Sequence, residues 1–186
     1  SAGKPRGAGL ICILAFGIVA MLFGKLNWEI LIYLVLTIAS MLTGYLDDAS
    51  KNPWGEFKKG ALDLLIACLV AGTYLAFNGS EIFINILGES IVLNPIVFFI
   101  LAVILVWVSI NVTNCTDGVD GLSGTLSVIT LFTIYLLESV KGTNSAINYI
   151  TLILIVCVLA YLWFNATPSK LMMGDAGSRA LGIFIS

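Results

Sequence analysis

Four polar residues spaced three apart, Asn111, Asn114, Asp117 and Asp120, interrupt a largely apolar stretch of this chain. Steps of three drift slowly around a helix, so the spacing predicts amide oxygens and carboxylates along one strip. Gly118 and Gly121 remove side chains beside the carboxylates and leave room for backbone to approach a ligand. Two other segments carry carboxylates directly against apolar runs: Gly44-Tyr-Leu-Asp-Asp48 and Met173-Gly-Asp-Ala-Gly-Ser178. Carboxylates packed together repel unless a cation or a shared proton relieves them. Histidine is absent and the cysteines are scattered, so the expected cation is Mg²⁺ or Mn²⁺ on oxygen ligands. Lys51 follows Asp48 by three residues, and Lys58 and Lys59 lie in the same loop. A metal and lysines at a membrane boundary suit a phosphorylated substrate, because phosphoryl transfer is catalysed mainly by positioning and charge stabilisation. Asp63 is expected to pair with Lys59 across one helical turn, which leaves it outside the site. Asp175, between Gly174 and Gly177, is expected in a turn that opens the next helix, whose N-terminal amides favour anions.

The elements that must position these residues are membrane helices. Of 186 residues, 59% are hydrophobic and 11% charged, against about 25% charged in a soluble domain. That composition predicts an all-α polytopic integral membrane protein. With a net charge of −2 and no basic stripe, a nucleic-acid partner is excluded. Cys12, Cys68, Cys115 and Cys157 make neither a metal-ligand pair nor a disulfide framework. Apolar runs span roughly 10–26, 28–46, 61–77, 95–110, 122–137 and 149–164, which gives six complete crossings. Lipid offers the backbone no partners, so these are helices. A seventh run opens at residue 180, and the chain reads as one transmembrane catalytic domain, 1–186, of a larger protein. Between the third and fourth runs, residues 78–94 read as a short hairpin on the outer surface. Gly72 and Gly124 are expected to mark close helix contacts. An even number of crossings places both ends on one side, together with Lys4, Arg6, Lys51, Lys58, Lys59, Lys170 and Arg179. Only Lys25 and Lys141 fall on the other side, so the positive side, with the carboxylates, is expected to face the cytoplasm. Trp28, Tyr149 and Trp163 near run ends fit interfacial aromatics.

The three acidic segments, with Phe164-Asn165, resemble those of the polyprenyl-phosphate N-acetylhexosamine-1-phosphate transferases. Thr116, and Ala180-Leu-Gly182 after Ser178, are similar to the branch that handles phospho-N-acetylmuramoyl-pentapeptide. Gly3-Lys-Pro-Arg-Gly-Ala-Gly-Leu10 aligns loosely with a Gly-Thr-Pro-Thr-Met-Gly-Gly segment of that family, with Lys4 and Arg6 at threonine positions. The resemblance implies a ten-helix protein of the bacterial inner membrane whose site faces the cytoplasm. It also implies Mg²⁺, undecaprenyl phosphate and UDP-N-acetylmuramoyl-pentapeptide as partners; a homodimer is one assembly open to the chain. Carried over by residue, Asp175 is the main metal ligand and Asn114 a second contact that also meets substrate. Asp117 acts near the diphosphate, and Asp47 and Asp48 sit by the lipid phosphate. Asp120 and Lys51 bind the nucleotide part, with Asn165 nearby, and Lys58 matches a family lysine across a shortened loop. The family's histidine-rich cytoplasmic loop has no counterpart in this chain.

Two other readings stand beside this one. The first keeps the chemistry and changes the donor to UDP-N-acetylglucosamine, for another cell-surface polymer. The second is a cation transporter with an acidic site, against which stands the clustering of carboxylates at one face and not at the bilayer midplane.

Overall fold

The computed structural model describes residues 4–50, 52, 54–84, 89–140 and 146–186. Lys51 and Lys141 lie outside the described residues. Among the described residues seven helices carry the fold: α1 (Ala8–Phe23), α2 (Trp28–Asp48), α3 (Glu56–Asn78), α4 (Pro95–Thr116), α5 (Leu122–Val140), α6 (Ala146–Asn165) and α7 (Gly174–Ile185). Strands β1 (Glu81–Ile84) and β2 (Glu89–Val92) pair antiparallel between α3 and α4, with Glu81 opposite Val92 and Ile84 opposite Glu89.

Local signals explain the boundaries. Asn27 caps α2 by accepting from the Ile30 amide at 2.8 Å. Asn94 caps α4 in the same way through Ile96, and Pro95 takes the first position, where its missing N–H is not needed. Gly79, at φ +76, ends α3 in the left-handed region. Helices α2 to α6 are long and apolar enough to cross a membrane. At 16 residues α1 is shorter than the ~20 that a full crossing takes. Hydrophobic side chains therefore face two ways. Ile96, Ile100, Leu101, Ile104, Leu105, Val108 and Val112 of α4 stay exposed, as lipid-facing residues do.

The inward faces build two apolar clusters joined by α7. Phe16, Leu34, Met41, Leu131, Leu154, Val158 and Leu181 belong to the first, and Ile66, Val70, Val106, Ile110 and Ile183 to the second. Helix α7 packs on α1, α2 and α4, and Ala176 through Ile183 are buried without a break. Small residues make that depth attainable. A Cβ on Gly44 would meet the Asp175 carbonyl, one on Gly9 would meet Gly177, and one on Gly182 would lie 2.5 Å from the Ile110 Cα. Gly124 shows the predicted close contact, with the Leu162 side chain 2.6 Å from where its Cβ would be. Gly72 is looser, its nearest neighbour being Phe99 at 3.8 Å.

Helix α7 begins at Gly174, ahead of the apolar run that opens at residue 180. The acidic segment is thus its first turn, and Arg179 lies inside the bundle and not among the loop cations. The strip of four also bends. Asn111 and Asn114 lie on α4, Asp117 is its C-terminal cap, and Asp120 stands in the turn beyond. Gly121, at φ +76, turns the chain there.

Candidate active site

One end of the bundle gathers carboxylates from α2, the α4–α5 turn and α7. The first amides of α7 organise them. Gly174 N donates to Asp117 Oδ2 at 2.8 Å, and Asp175 N donates to Asp48 Oδ2 at 2.9 Å. A helix N-terminus exposes unpaired N–H groups and favours negative charge; here it holds two of the protein's own carboxylates, one from each neighbouring element. Gly174 is required twice over. Its φ is +74, and a Cβ would stand 2.6 Å from Asp48 Oδ2.

Asp47, next to Asp48 on α2, is buried. Its Oδ1 accepts from the Trp54 amide at 2.7 Å, and its Oδ2 meets Lys59 Nζ at 2.6 Å. The same ammonium lies 3.5 Å from Asp175 Oδ2. Lys59 thus joins the α2 and α7 carboxylates. It does not pair with Asp63 as the four-residue spacing suggests, because Asp63 points into the bundle and is taken by Arg179. Nε of Arg179 donates to Asp63 Oδ1 at 3.0 Å, and Nη2 donates to the same oxygen. Breaking such a buried pair by removing one partner costs about 3–5 kcal/mol.

At the far edge, Lys4 bridges both oxygens of Asp120, at 2.7 and 2.9 Å. That contact holds the Asp120 carboxyl below the usual carboxylate range. Backbone bonds bring Lys4 there. Met172 N donates to Pro5 O at 3.0 Å, and the amides of Ala8 and Gly9 donate to the carbonyls of Met172 and Met173. Asp117 is shifted in the opposite sense. Burial, then the charges of Asp175 and Asp48, push it up to about 6 against the Gly174 hydrogen bond.

Other expected residues fall in different surroundings. Asn114 Oδ1 accepts from Ser178 Oγ at 3.2 Å, and its side chain lines a cleft of about 300 Å³ together with Asp175, Lys59, Asn111, Trp107 and Arg179. Asn165 is 2% exposed. Its Oδ1 accepts from Gly121 N at 2.9 Å, and its Nδ2 donates to the Leu171 carbonyl at 2.9 Å. Asn165 therefore braces the turn that carries Asp117 and Asp120. Lys58 is exposed and sits over the Trp54 ring, 3.4 Å from its centroid, while its neighbour Lys59 takes the place among the carboxylates. No Cβ on Gly118 would meet an atom within 4 Å, so the space beside that turn is open.

Sequence reasoning offered Lys59 among the lysines for a phosphorylated substrate and expected the α7 amides to favour anions; it passed over Lys4 at the site and the pairing of Arg179 with Asp63. One signal was present: Arg179 follows Asp175 by four residues, which places both on one helical face. Among the described residues no three Asp, Glu, Cys or His side chains come close enough to hold a metal by themselves. The acidic and amide donors at the cleft and the α7 turn are nonetheless oxygens, and Asp117 is raised first by burial and then by the charges of Asp175 and Asp48, a charge a hard divalent cation relieves.

The profile described as Glycosyl transferase family 4 matches residues 30–186. A phospho-N-acetylmuramoyl-pentapeptide-transferase of Treponema pallidum is 39% identical over 203 residues, covering 100% of this chain and 56% of the relative. Proteins of the same name from Thermotoga neapolitana and Fervidobacterium nodosum are 32% and 31% identical, over 97% and 99% of the chain. The chain spans little more than half the length of these relatives. With the match extending from α2 to the end of α7, the chain belongs to glycosyl transferase family 4.

Proposed function

We propose that this chain carries the site that transfers phospho-N-acetylmuramoyl-pentapeptide from UDP to undecaprenyl phosphate. The products are the first lipid-linked peptidoglycan precursor and UMP. The observation that carries the reading is the gathering of Asp47, Asp48, Asp117 and Asp175 around Lys59 and the first amides of α7, at one end of an apolar bundle. The names of the relatives support the donor.

The reaction requires such a place. A lipid phosphate reaches a site only at the membrane boundary, and a nucleotide donor only from water. An oxygen of the acceptor phosphate becomes bonded to the phosphorus that carries the sugar, and the bond from that phosphorus to UMP breaks. Asp47 and Asp48 stand on the α2 side as the carboxylates for the acceptor phosphate. Asp117, shifted to about 6, can exchange a proton near neutral pH beside the diphosphate. Asp120, with Lys4 and Lys51, serves the nucleotide end, with Asn165 holding the turn in place. Lys59 is the cation that screens the phosphates from the α3 side, and Lys58 lies farther out. Asp175, with Asn114 on the same cleft wall, would hold Mg²⁺, which when bound neutralises charge on the phosphate oxygens. The site faces the cytoplasm of the bacterial inner membrane, and the whole protein has ten helices and forms a homodimer.

The test is UMP release by the full-length protein in detergent from UDP-N-acetylmuramoyl-pentapeptide and undecaprenyl phosphate, with and without Mg²⁺. Release that requires all three components supports the reading. Release only with UDP-N-acetylglucosamine moves the protein to another polymer. Silence with both donors, together with sodium or proton flux in liposomes, would replace the enzyme by a transporter.

A further inference from the structure

Arg179 heads the large side chains that are fully enclosed among the described residues, at 0% exposure, and its partner Asp63 is 3% exposed. A guanidinium does not shed its charge, so its burial demands partners on every side. Arg179 is incompletely supplied. Nε and Nη2 are held by Asp63, Nη2 also reaches the Lys59 carbonyl at 3.5 Å, and Nη1 has no hydrogen-bond partner among the described residues. A buried ion pair is often replaceable by apolar residues without loss of stability. Stability alone therefore does not account for this pair, whereas its location does. Arg179 stands one turn after Asp175 on α7. Asp63 stands one turn after Lys59 on α3. Arg179 grips that α3 turn at both ends, through the Asp63 carboxylate and the Lys59 carbonyl. The Lys59 ammonium at the start of that turn lies between Asp47 at 2.6 Å and Asp175 at 3.5 Å.

We infer that the Arg179–Asp63 pair is a positioning device. It locks the first turns of α3 onto α7 so that Lys59 is held between the α2 and α7 carboxylates. Both stand in the wall of the cleft that Lys59 lines, and both act through Lys59. The kinetic consequence rests on the transferase reading proposed above, and the placement of Lys59 does not.

The test uses the full-length protein and the double variant Asp63→Leu/Arg179→Met, which removes both charges and keeps apolar volume. Three quantities are read: thermal unfolding, the rate of Lys59 acetylation by a water-soluble acetylating reagent followed by mass spectrometry, and UMP release. The variant is expected to unfold within a few degrees of the wild type. Lys59 is expected to acetylate about tenfold faster, the size of a released carboxylate contact. The value of kcat is expected to fall about tenfold or more with little change in KM, as for a misplaced catalytic-site charge. A folded variant with wild-type Lys59 reactivity and wild-type kcat would make the pair a mere brace and overturn the inference. The charge swap Asp63→Arg/Arg179→Asp restores an ion pair but not the grip of α7 on the Lys59 carbonyl. It is expected to fold and to leave Lys59 reactive, and it decides the question if the apolar variant does not fold. Failure of both variants to fold overturns the inference, since a positioning pair is dispensable for folding. Faster acetylation beside a wild type that releases no UMP keeps the positioning role and removes the transferase reading.

Discussion

At the scale of single residues, Asp117 and Asp175 give the sharpest expectations. The folded value of Asp117, about 6, lies above the ordinary carboxylate value, so the folded state binds the extra proton. Its stabilising contribution is therefore complete below about pH 4 and is lost as pH rises through about 6. In buffer free of divalent cations, Asp117→Asn is expected to be more stable than the wild type at pH 7.5, by about 1–3 kcal/mol. That advantage should vanish by about pH 4. Denaturation of both proteins across that range checks the sign, and an advantage that grows on acidification contradicts it. Asp175→Ala is expected to abolish Mg²⁺-dependent UMP release while the bundle stays folded, because the proposed ligand set loses its charge. Unchanged turnover with unchanged metal dependence would remove Asp175 from the metal site.

At the scale of elements, α7 is the part on which the site depends. Its first amides hold Asp48 and Asp117, its first turn carries Asp175, and its depth in the bundle relies on Gly9, Gly44 and Gly182, which face backbone and not flexible side chains. A Cβ at position 44 would press on the Asp175 carbonyl. Gly44→Ala is thus expected to destabilise by about 1–3 kcal/mol, the range for overpacking a filled interface. It should also depress activity by moving Asp175 away from Asp48. Gly55→Ala is the control: its φ is −63 and open space surrounds it. Thermal unfolding in detergent should separate the two, with Gly55→Ala costing less than about 1 kcal/mol, because Gly55 caps α3 and alanine is the poorer cap.

At the scale of the whole molecule, sidedness is what the proposed chemistry demands. Cys115 is the exposed cysteine, next to Asn114 at the site end, whereas Cys12 is buried and Cys68 and Cys157 are half-buried. A membrane-impermeant maleimide is expected to label Cys115 in inverted vesicles and not in intact spheroplasts. Labelling only from the outside would put the site on the wrong face for a cytoplasmic nucleotide donor. Trp28 and Trp163, 76% and 84% exposed at helix ends, suit the two interfaces on that orientation.

Much of this protein was legible in its residues alone. Long apolar runs required helices, because lipid gives a backbone no other partner, and the carboxylates at run ends required a cationic or proton-sharing environment. Asp175 at a helix start was readable from its flanking glycines and Ser178. What the residues could not decide is which charge meets which. Lys59 is four residues from Asp63 and equally able to face it, but the packing of α7 gives Asp63 to Arg179 and leaves Lys59 for Asp47 and Asp175. Lys58 and Lys59 are adjacent in sequence, yet the phase of α3 sends one onto Trp54 and the other into the site. Local spacing determines which side chains share a helical face. Only the tertiary structure decides which face meets which, because residues 116 apart in the chain, such as Arg179 and Asp63, become neighbours through helix packing and not through period.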